Sequence, residues 1–335
     1  MSIIPKDSLV LVTGANGFIA AHIVNTLLAE GYRVRGTARA ASKIAALKAF
    51  WDETYGPGRF ETAVVEDMAK DGAFVEALKG VAGVVHVASI MLDADSIWLN
   101  PALVIDTVVN TNLFLLRSAA AQPTVKSFVY TSSASAAGLP KLDVEYDVGE
   151  DTWNTESIQK AYDLPADDPS RPLHAYCASK ALGEQAAWKF YKEEKPSFAF
   201  NTVLPNVNIG PPVGPADPRS SSALISSFFD GDFSMMHWVT PQHYIDVRDT
   251  AELHMHALTS TRLPADGVRI LASGSSLNAN DLLQILRDLY PERSFPPDIE
   301  GMGRDLTRVD QKRAVELLGR FRGLKEAVKA NAEKL

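Results

Sequence analysis

The chain has little cysteine, no excess of positive charge and no long hydrophobic run. Its 335 residues include a single cysteine, Cys177, which excludes an intramolecular disulfide and favours a reducing compartment. The formal net charge of -8 argues against nucleic acid as a partner. The longest low-charge apolar stretch, residues 81–92, is interrupted by His86 and is shorter than the roughly 18 residues of a membrane span. We therefore expect a soluble cytoplasmic protein with no membrane partner and no cleavable leader, since a structural signal begins by residue 14.

A glycine-containing turn joins the first apolar run to the first helical pattern, in the stretch LVLVTGANGFIAAH at 9–22. Gly14 can adopt the positive φ of a tight turn, and Gly17 lets a ligand approach the backbone. The N-terminus of the following helix offers unpaired N–H groups to a phosphate. Ala20 stands at the third glycine position of the usual fingerprint, where only close packing is needed. The alternative is a strand-to-helix connection without a ligand. The stretch predicts a dinucleotide site that uses Gly14, Asn16, Gly17, Phe18 and Ile19.

Acidic residues are absent from positions 31–51. A fold of this kind that selects NAD carries an Asp or Glu at the end of the second strand, about 20 residues past the glycines. Here Arg39 stands just beyond the predicted strand 33–37, and Lys43 follows one helical turn later. Because these cations would bind a 2′-phosphate that an acid would repel, the sequence predicts NADP(H) as the cofactor. The alternative is that both are ordinary solvated charges.

Short apolar runs alternate with helical patterns. Strands are predicted at 9–12, 33–37, 60–65, 81–87, 126–131, 198–204 and 268–272, with helices at 45–51, 73–78 and 101–122 among them. This alternation is typical of an α/β fold with a doubly wound parallel (Rossmann) sheet. We expect residues 1–205, with 240–273 returning to the sheet, to form the NADPH-binding domain. Residues 206–239 and 274–335 are expected to form a smaller C-terminal substrate-binding lobe.

Ligands bind such a sheet beyond the carboxyl ends of its strands. Asp67 either accepts a hydrogen bond from an adenine amino group or caps the next helix, and both interpretations stay open. His86 alone is expected to be a core histidine. Further cofactor contacts are expected from residues at or just after the strand ends: Asp67, Met68, Val87, Ala88, Ser89, Thr131, Pro205 and Asn206.

The pattern Tyr-x-x-x-Lys occurs twice, at Tyr176 with Lys180 and at Tyr191 with Lys195. Residues four apart share a helix face, so an ammonium can lie near a phenol and favour its ionised form. Such a tyrosine, with an ordinary pKa of about 10, becomes a usable acid and base near neutrality. Small residues surround Tyr176 and leave room for a cofactor, whereas Tyr191 lies at a charged helix end that should be solvated. Tyr176 and Lys180 are the predicted catalytic pair.

Several motifs together resemble the extended short-chain dehydrogenase/reductase superfamily: VTGANGFIA, HVAS at 86–89, TSSAS at 131–135 and YCASK at 176–180. The stretches RGTARAASK, FETAVVEDM and LPNVNIGP look like the fungal NADPH-dependent aldehyde and ketone reductases, related to dihydroflavonol and cinnamoyl-CoA reductases. The resemblance implies a catalytic set of Ser133, Tyr176 and Lys180, with Ser132 as second choice to Ser133. In the wider superfamily an asparagine in the helix after the fourth strand supports the site, and Asn110 and Asn112 are both candidates here.

Apolar residues outnumber cations between 206 and 244, which favours an uncharged hydrophobic substrate, although these residues could instead form the core of the small lobe. Ser133, Gln242 and Trp238 are the expected substrate contacts. His254 and His256 are two apart on a predicted helix and face different sides, so no metal site is expected. The oligomeric state is left open, with a homodimer as one option.

The sequence therefore predicts an NADPH-dependent reductase of aldehydes and ketones, including keto esters or aryl ketones, with a small-molecule carbonyl substrate. Two rival functions use the same fold. A sugar-nucleotide epimerase or dehydratase would retain NAD and should carry an acid after the second strand. A non-catalytic dinucleotide sensor would usually have lost the tyrosine or the lysine.

Overall fold

The computed structural model describes residues 2–89, 100–215, 221–234 and 239–334. The strands of these ranges are β1 Leu9–Val12, β2 Arg33–Ala38, β3 Phe60–Val64, β4 Gly83–His86, β5 Ser127–Thr131, β6 Asp147–Val148, β7 Ala199–Pro205, β8 Val207–Ile209, β9 Gln242–Asp246, β10 Arg269–Ala272, β11 Ser276–Leu277 and β12 Arg308–Val309. The α-helices are α1 Phe18–Ala29, α2 Ala45–Tyr55, α3 Pro101–Ala120, α4 Thr155–Asp163, α5 Arg171–Glu194, α6 Ser222–Phe229, α7 Val247–Thr259, α8 Ala279–Leu289, α9 Lys312–Leu318 and α10 Leu324–Ala332.

Seven parallel strands form the central sheet, in the order β10-β7-β5-β4-β1-β2-β3. The strands β1, β4 and β5 are completely buried, which explains why β1 is wholly apolar and why the middle of β4 and of β5 is apolar. The chain runs outward in one direction from β1 to β3 and in the other from β4 to β10. The predicted doubly wound parallel sheet is confirmed, and the switch between β1 and β4 marks the crevice where ligands bind such folds.

Helices cover both faces of this sheet. One apolar core joins β1 and β2 to residues of α1, α2 and α7, and a second joins β4 and β5 to residues of α3 and α5. The described ranges contain no helix with both the length and the apolar character needed to cross a bilayer. The two cores fix the helices relative to the strand ends and so determine which side chains meet in the crevice.

The C-terminal part of the chain has its own apolar core, built around α6, α8 and α10. Phe228 of α6 is fully buried there, with its ring centroid 5.6 Å from that of Phe233, as the core interpretation of the aromatics between 206 and 244 expects. A three-stranded sheet, in the order β11-β9-β8, lies beside this core. A two-stranded pair, β12 with β6, ties residues 308–309 to the segment after β5.

Two sequence predictions about elements are wrong. Residues 240–273 were expected to return to the central sheet, but only β10 does so, because β9 pairs with β8 and β11 instead. Residues 73–78 were expected to be helical, yet residues 71–80 form a succession of turns. Bonds there span mainly three residues, as from Val75 N–H to the Gly72 carbonyl, since six residues are too few to stabilise a helix.

Candidate active site

The glycine turn after β1 is shaped for a close ligand. Gly14 has φ +64°, and its N–H donates to the Thr37 hydroxyl at 3.1 Å. A Cβ on Gly14 would lie 3.1 Å from that of Ala88, so the turn and the end of β4 approach each other closely. Gly17 is exposed and precedes α1, whose N-terminus receives no side-chain cap. The uncapped N–H groups are available to a phosphate, and Asn16, Phe18 and Ile19 are partly exposed around them.

Thr13 connects this turn to the end of β4. Its hydroxyl oxygen accepts from the N–H groups of Val87 and Ala88, both at 3.0 Å, and lies 2.9 Å from Nδ1 of His86. Burial lowers the pKa of His86 to about 4, so the ring is neutral. Its Nε2 lies 3.1 Å from Oδ1 of Asn112. His86 is therefore a buried structural histidine, and Asn112 is engaged with it.

Arg39 and Lys43 are both exposed just past β2, and neither forms an ion pair with another described residue. Lys43 lines a cavity of about 210 Å³ together with Asn16, Gly17 and Phe18. Residues 212, 213 and 215 form another wall of it. Lys43 thus lies next to the glycine turn, and both predicted cations lack an ion-pair partner in the described part of the chain.

The other expected cofactor residues lie at neighbouring strand ends. They differ in their exposure and in whether their side chains already have a hydrogen-bond partner. Asp67 is exposed and its carboxylate accepts from Ala69 N–H at 2.9 Å, so it caps the local turn. Met68, Val87, Ala88 and Ser89 are partly exposed. The Thr131 hydroxyl is engaged inside the protein, 2.7 Å from Nε2 of His254. Pro205 is the last residue of β7.

Asn206, directly after β7, is held by two contacts, one with the last residue of β10 and one with the residue that follows it. Its N–H donates to the Ala272 carbonyl at 3.0 Å, and its side-chain amide donates to the Ser273 hydroxyl. The Asn206 carbonyl in turn accepts from the side chain of Asn208 at 3.0 Å. The loop that follows β7 is therefore fixed at the mouth of the crevice.

Ser133 follows β5, and its hydroxyl lies close enough to the Tyr176 phenol to lower the pKa of that group. Both side chains are only partly buried, which leaves room for a ligand. Burial is the main influence on the pKa of Tyr176 and raises it. Ser135 donates to the Ser133 oxygen from its N–H at 3.2 Å and from its hydroxyl at 2.9 Å. The serine is thus oriented locally and faces the tyrosine.

Lys180 follows Tyr176 by one helical turn on α5 and is almost fully buried. Burial lowers its pKa to about 8, and the negative charge of Glu184 opposes that shift. Lys180 is the third member of the predicted catalytic set, so the structure brings all three residues into one region of α5 and the β5 end.

Residues next to this set have structural partners instead. The Ser132 hydroxyl is buried and donates to Glu184 at 2.7 Å, so it does not face the crevice. Cys177 is completely buried, and burial raises the pKa of its thiol to about 11. Asn110 is exposed on α3.

The expectation that Tyr191 is solvated is wrong. Its ring is partly buried, with its centroid 5.3 Å from that of Phe200 and 6.4 Å from that of Phe198. Its hydroxyl donates to the Ala265 carbonyl at 3.3 Å. The charged residues around it in sequence hid an apolar stripe at helical spacing, shared with Trp188.

Gln242, the first residue of β9, lines a second cavity of about 250 Å³. Its side-chain amide donates to the Thr240 carbonyl at 3.2 Å. Seven of the ten lining side chains are apolar and none is charged. The apolar ones are Val207, Ile209, Ala223, Leu224, Val239, Leu277 and Leu282. The other predicted substrate residue, Trp238, lies outside the described residues.

Sequence reasoning missed Glu184 and Arg269, which are buried on the side of Ser132, the residue that precedes Ser133. Arg269 donates to Glu184 through Nε at 2.9 Å. Two signals were present: Glu184 continues the four-residue spacing of Tyr176 and Lys180, and Arg269 interrupts an apolar strand. A charge in such a strand needs a buried partner.

Comparison with known proteins gives a consistent result. The family described as NAD dependent epimerase/dehydratase matches residues 10–269. Aldehyde reductase 2 of Sporidiobolus salmonicolor is 44% identical over 336 residues, covering 98% of this chain and 96% of that protein. Ketoreductase adrE of Penicillium rubens is 37% identical, covering 88% and 84%. Yeast methylglyoxal/isovaleraldehyde reductase Gre2, solved in complex with NADPH, aligns with a TM-score of 0.80 and 28% identity over 97% of each chain.

Proposed function

The chain belongs to the NAD dependent epimerase/dehydratase family, and we propose that it is an NADPH-dependent carbonyl reductase that converts aldehydes and ketones to alcohols. The observation that carries the proposal is the meeting of Ser133, at the end of β5, with Tyr176 on α5, where Lys180 follows one helical turn further along. A similar aldehyde reductase and a similar NADPH-bound reductase support it. We also propose that the protein acts in the cytoplasm, as a monomer or a homodimer.

The described residues fit a bound NADPH. The Gly14 turn leaves a space that a Cβ would narrow, and the α1 N-terminus lies beside it with uncapped N–H groups for the pyrophosphate. Arg39 and Lys43, exposed past β2, would hold the 2′-phosphate. The Asn206 N–H is already bonded to Ala272, so only its carbonyl, which can accept a second hydrogen bond besides that from Asn208, would be offered to the nicotinamide end. When bound, NADPH supplies the hydride that reduces the carbonyl carbon.

The side chains of the set divide the remaining work. Ser133 hydrogen-bonds the substrate oxygen and so stabilises the charge that develops on it. Tyr176 gives its proton to that oxygen, and the burial that raises its pKa keeps the proton in place until the oxygen needs it. Lys180 would bind the cofactor ribose; its ammonium is not among the causes that set the pKa of Tyr176 in this structure, where burial dominates.

The apolar cavity beside Gln242 supports uncharged hydrophobic ketones and keto esters as the substrate class, because the described lining contains no cation for a diphosphate or coenzyme A tail. The test is loss of NADPH absorbance with hydrophobic aldehydes, aryl ketones, keto esters, UDP-sugars and acyl-CoA thioesters. We expect turnover of the hydrophobic carbonyl compounds only. Robust activity on a charged class, with hydrophobic carbonyls inert, would favour the epimerase or dehydratase alternative.

The two tyrosines provide a matched pair of variants. Tyr176→Phe should lower kcat by at least about 100-fold while NADPH still binds, because a general acid contributes on that scale. Tyr191→Phe removes the same atom from a ring packed against Phe200 and should leave kcat nearly unchanged. Equal losses of kcat in the two variants, at matched NADPH affinity, would contradict the assignment of Tyr176.

A further inference from the structure

Glu184 is a fully buried carboxylate on the same helix face as the catalytic pair. Tyr176, Lys180 and Glu184 follow one another at four-residue spacing on α5, so they form one stripe along the helix. Because the side chain lies one turn beyond Lys180, it is too far along the helix to be part of the crevice itself. Its contacts instead lead to the strands beneath the site.

Four side chains donate to this carboxylate, three from the central sheet and its edge and one from α5 itself. Ser132 donates to Oε2 at 2.7 Å, and Thr202 of β7 donates to Oε1 at 2.7 Å. Arg269 of β10 donates to both oxygens, at 2.9 and 3.2 Å. Trp188 on α5 itself completes the set at 3.3 Å. The helix α5 is thereby connected to the carboxyl end of β5, to the middle of β7 and to the first residue of β10.

Arg269 is itself held from the opposite side. Its Nη1 donates to the carbonyls of Glu150 and Thr152 at 2.6 and 2.7 Å, and its guanidinium lies 3.7 Å from the centroid of the Trp153 ring. Burying a carboxylate and a guanidinium costs desolvation that their attraction often only balances. A buried pair of this kind is better explained by the arrangement it enforces than by a gain in stability.

The buried Glu184–Arg269 pair fixes the two residues that follow β5, Ser132 and Ser133. Ser132 is the residue before Ser133, and its own N–H donates to the Val203 carbonyl at 2.8 Å. Backbone and side chain of Ser132 are therefore both fixed, the latter by Glu184. Successive side chains in extended backbone point in opposite directions. Because Glu184 holds the Ser132 side chain, the side chain of Ser133 points the other way, toward Tyr176. Glu184, which holds Ser132, and Tyr176, which Ser133 faces, lie on the same helix, eight residues apart.

We propose that Glu184 is a positioning residue: through its hydrogen bond with Ser132 it sets the distance between the Ser133 hydroxyl and the Tyr176 phenol. This inference rests on the proposed carbonyl reductase function. The Thr202 and Arg269 contacts hold the carboxylate in place, while the Ser132 contact transmits that position to the site.

The test compares two single-hydroxyl deletions, because Glu184→Gln would leave Arg269 without its charge partner in the core and could unfold the chain. Ser132→Ala and Thr202→Val each remove one buried hydroxyl that donates to Glu184 at 2.7 Å. Both should lower Tm to a similar extent. Only Ser132→Ala should lower kcat, by about tenfold or more, because displaced catalytic groups lose rate steeply. The NADPH Kd should be unchanged in both variants.

The outcomes separate this inference from the function on which it rests. Wild-type protein that reduces no carbonyl compound would overturn the proposed function and this inference with it. Active wild type together with a Ser132→Ala variant whose kcat stays within about twofold would overturn the inference alone. Thr202→Val losing as much kcat as Ser132→Ala would also overturn it, since the carboxylate would then act only through general stability.

Discussion

Arg39 stands one residue beyond β2 with an exposed, unpaired side chain in the described structure. Arg39→Ala should weaken NADPH binding by about tenfold to 150-fold, the value of one charge-assisted contact of roughly 1.5–3 kcal/mol. NADH binding should change little, because only the 2′-phosphate distinguishes the cofactors. Arg33→Ala is the control: it removes the same charge from the opposite end of the same strand. Titration of both cofactors measures the effect, and equal losses for NADPH and NADH would contradict the role of Arg39.

Lys180 places a cation where the fold disfavours one. Its pKa in the folded protein, about 8 against an ordinary 10.5, corresponds to about 3 kcal/mol of destabilisation at any pH below about 8. That cost declines as pH rises from about 8 to 10.5, because in this range the unfolded chain still binds the proton that the folded chain has released, and its gain from binding that proton falls as pH rises. Lys180→Met should therefore raise the free energy of unfolding near neutral pH by up to about 3 kcal/mol while abolishing turnover.

Urea unfolding at about pH 7 and about pH 9.5 measures this effect, and the gain should be smaller at the higher pH. Lys189→Met on the same helix is the control, since Lys189 is exposed and makes only a 4.0 Å pair with Glu193. A Lys180→Met variant less stable than wild type at neutral pH would show that contacts of the ammonium outweigh its burial.

Single residues of the site were predictable where their signal is local. Tyr176, Lys180 and the glycine turn each follow a short spacing whose chemistry is contained in one segment. Glu184 was missed because its donors, Ser132, Thr202 and Arg269, are distant in sequence and meet only in the folded sheet. The approach of Ser133 to Tyr176 is likewise a product of packing.

At the scale of elements, α3 and α5 approach closely at Gly183. A Cβ there would lie 2.9 Å from Nδ2 of Asn112 and 3.1 Å from Val108. Gly→Ala within a helix ordinarily stabilises by about 1 kcal/mol, but overpacking costs typically about 1–3 kcal/mol. We expect Gly183→Ala to lower Tm, while Gly149→Ala, which meets no atom within 4 Å, should leave it nearly unchanged. A rise in Tm for Gly183→Ala, measured by thermal unfolding, would show that the helices can separate at little cost.

Elements were predictable where burial dominates their sequence. The strands of the central sheet were found within one or two residues because buried parallel strands are continuous apolar runs. The partner of β9 could not be found in this way, since Gln242–Asp246 suits either sheet and pairing depends on β8 and β11. The turns at 71–80 carry apolar residues such as Phe74 and Leu78 that are buried without a helix, so helical spacing alone was misleading.

At the scale of the whole molecule, Arg322 ties the C-terminal part to the main sheet domain. Its N–H and guanidinium both donate to Asp249, a buried carboxylate on α7, and the guanidinium also reaches Glu252 at 2.7 Å. Arg322→Ala would leave Asp249 buried without its charge partner, so we expect a loss of about 3–5 kcal/mol in the free energy of unfolding.

Arg308→Ala is the matched control for Arg322→Ala. Arg308 also bridges two carboxylates, Glu145 and Asp147, but all three side chains are exposed, so its loss should change the free energy of unfolding far less than the loss of Arg322. Urea unfolding of the two variants measures the difference. Equal stabilities would mean that the C-terminal part is held by its apolar core instead of by the Arg322 contacts.

The rate at which Cys177, beside Tyr176 on α5, reacts with an alkylating reagent reports how often this helix opens. The thiol is completely buried with its pKa raised to about 11, so an alkylating reagent can reach it only when α5 separates from its neighbours. Cys177 is the only thiol of the chain, so the labelling rate reports a single site. That rate is proportional to the fraction of molecules in which the helix is open. A ligand that closes the crevice would lower the alkylation rate of Cys177 in proportion to its occupancy. Ligand binding could therefore be measured at α5 without any turnover.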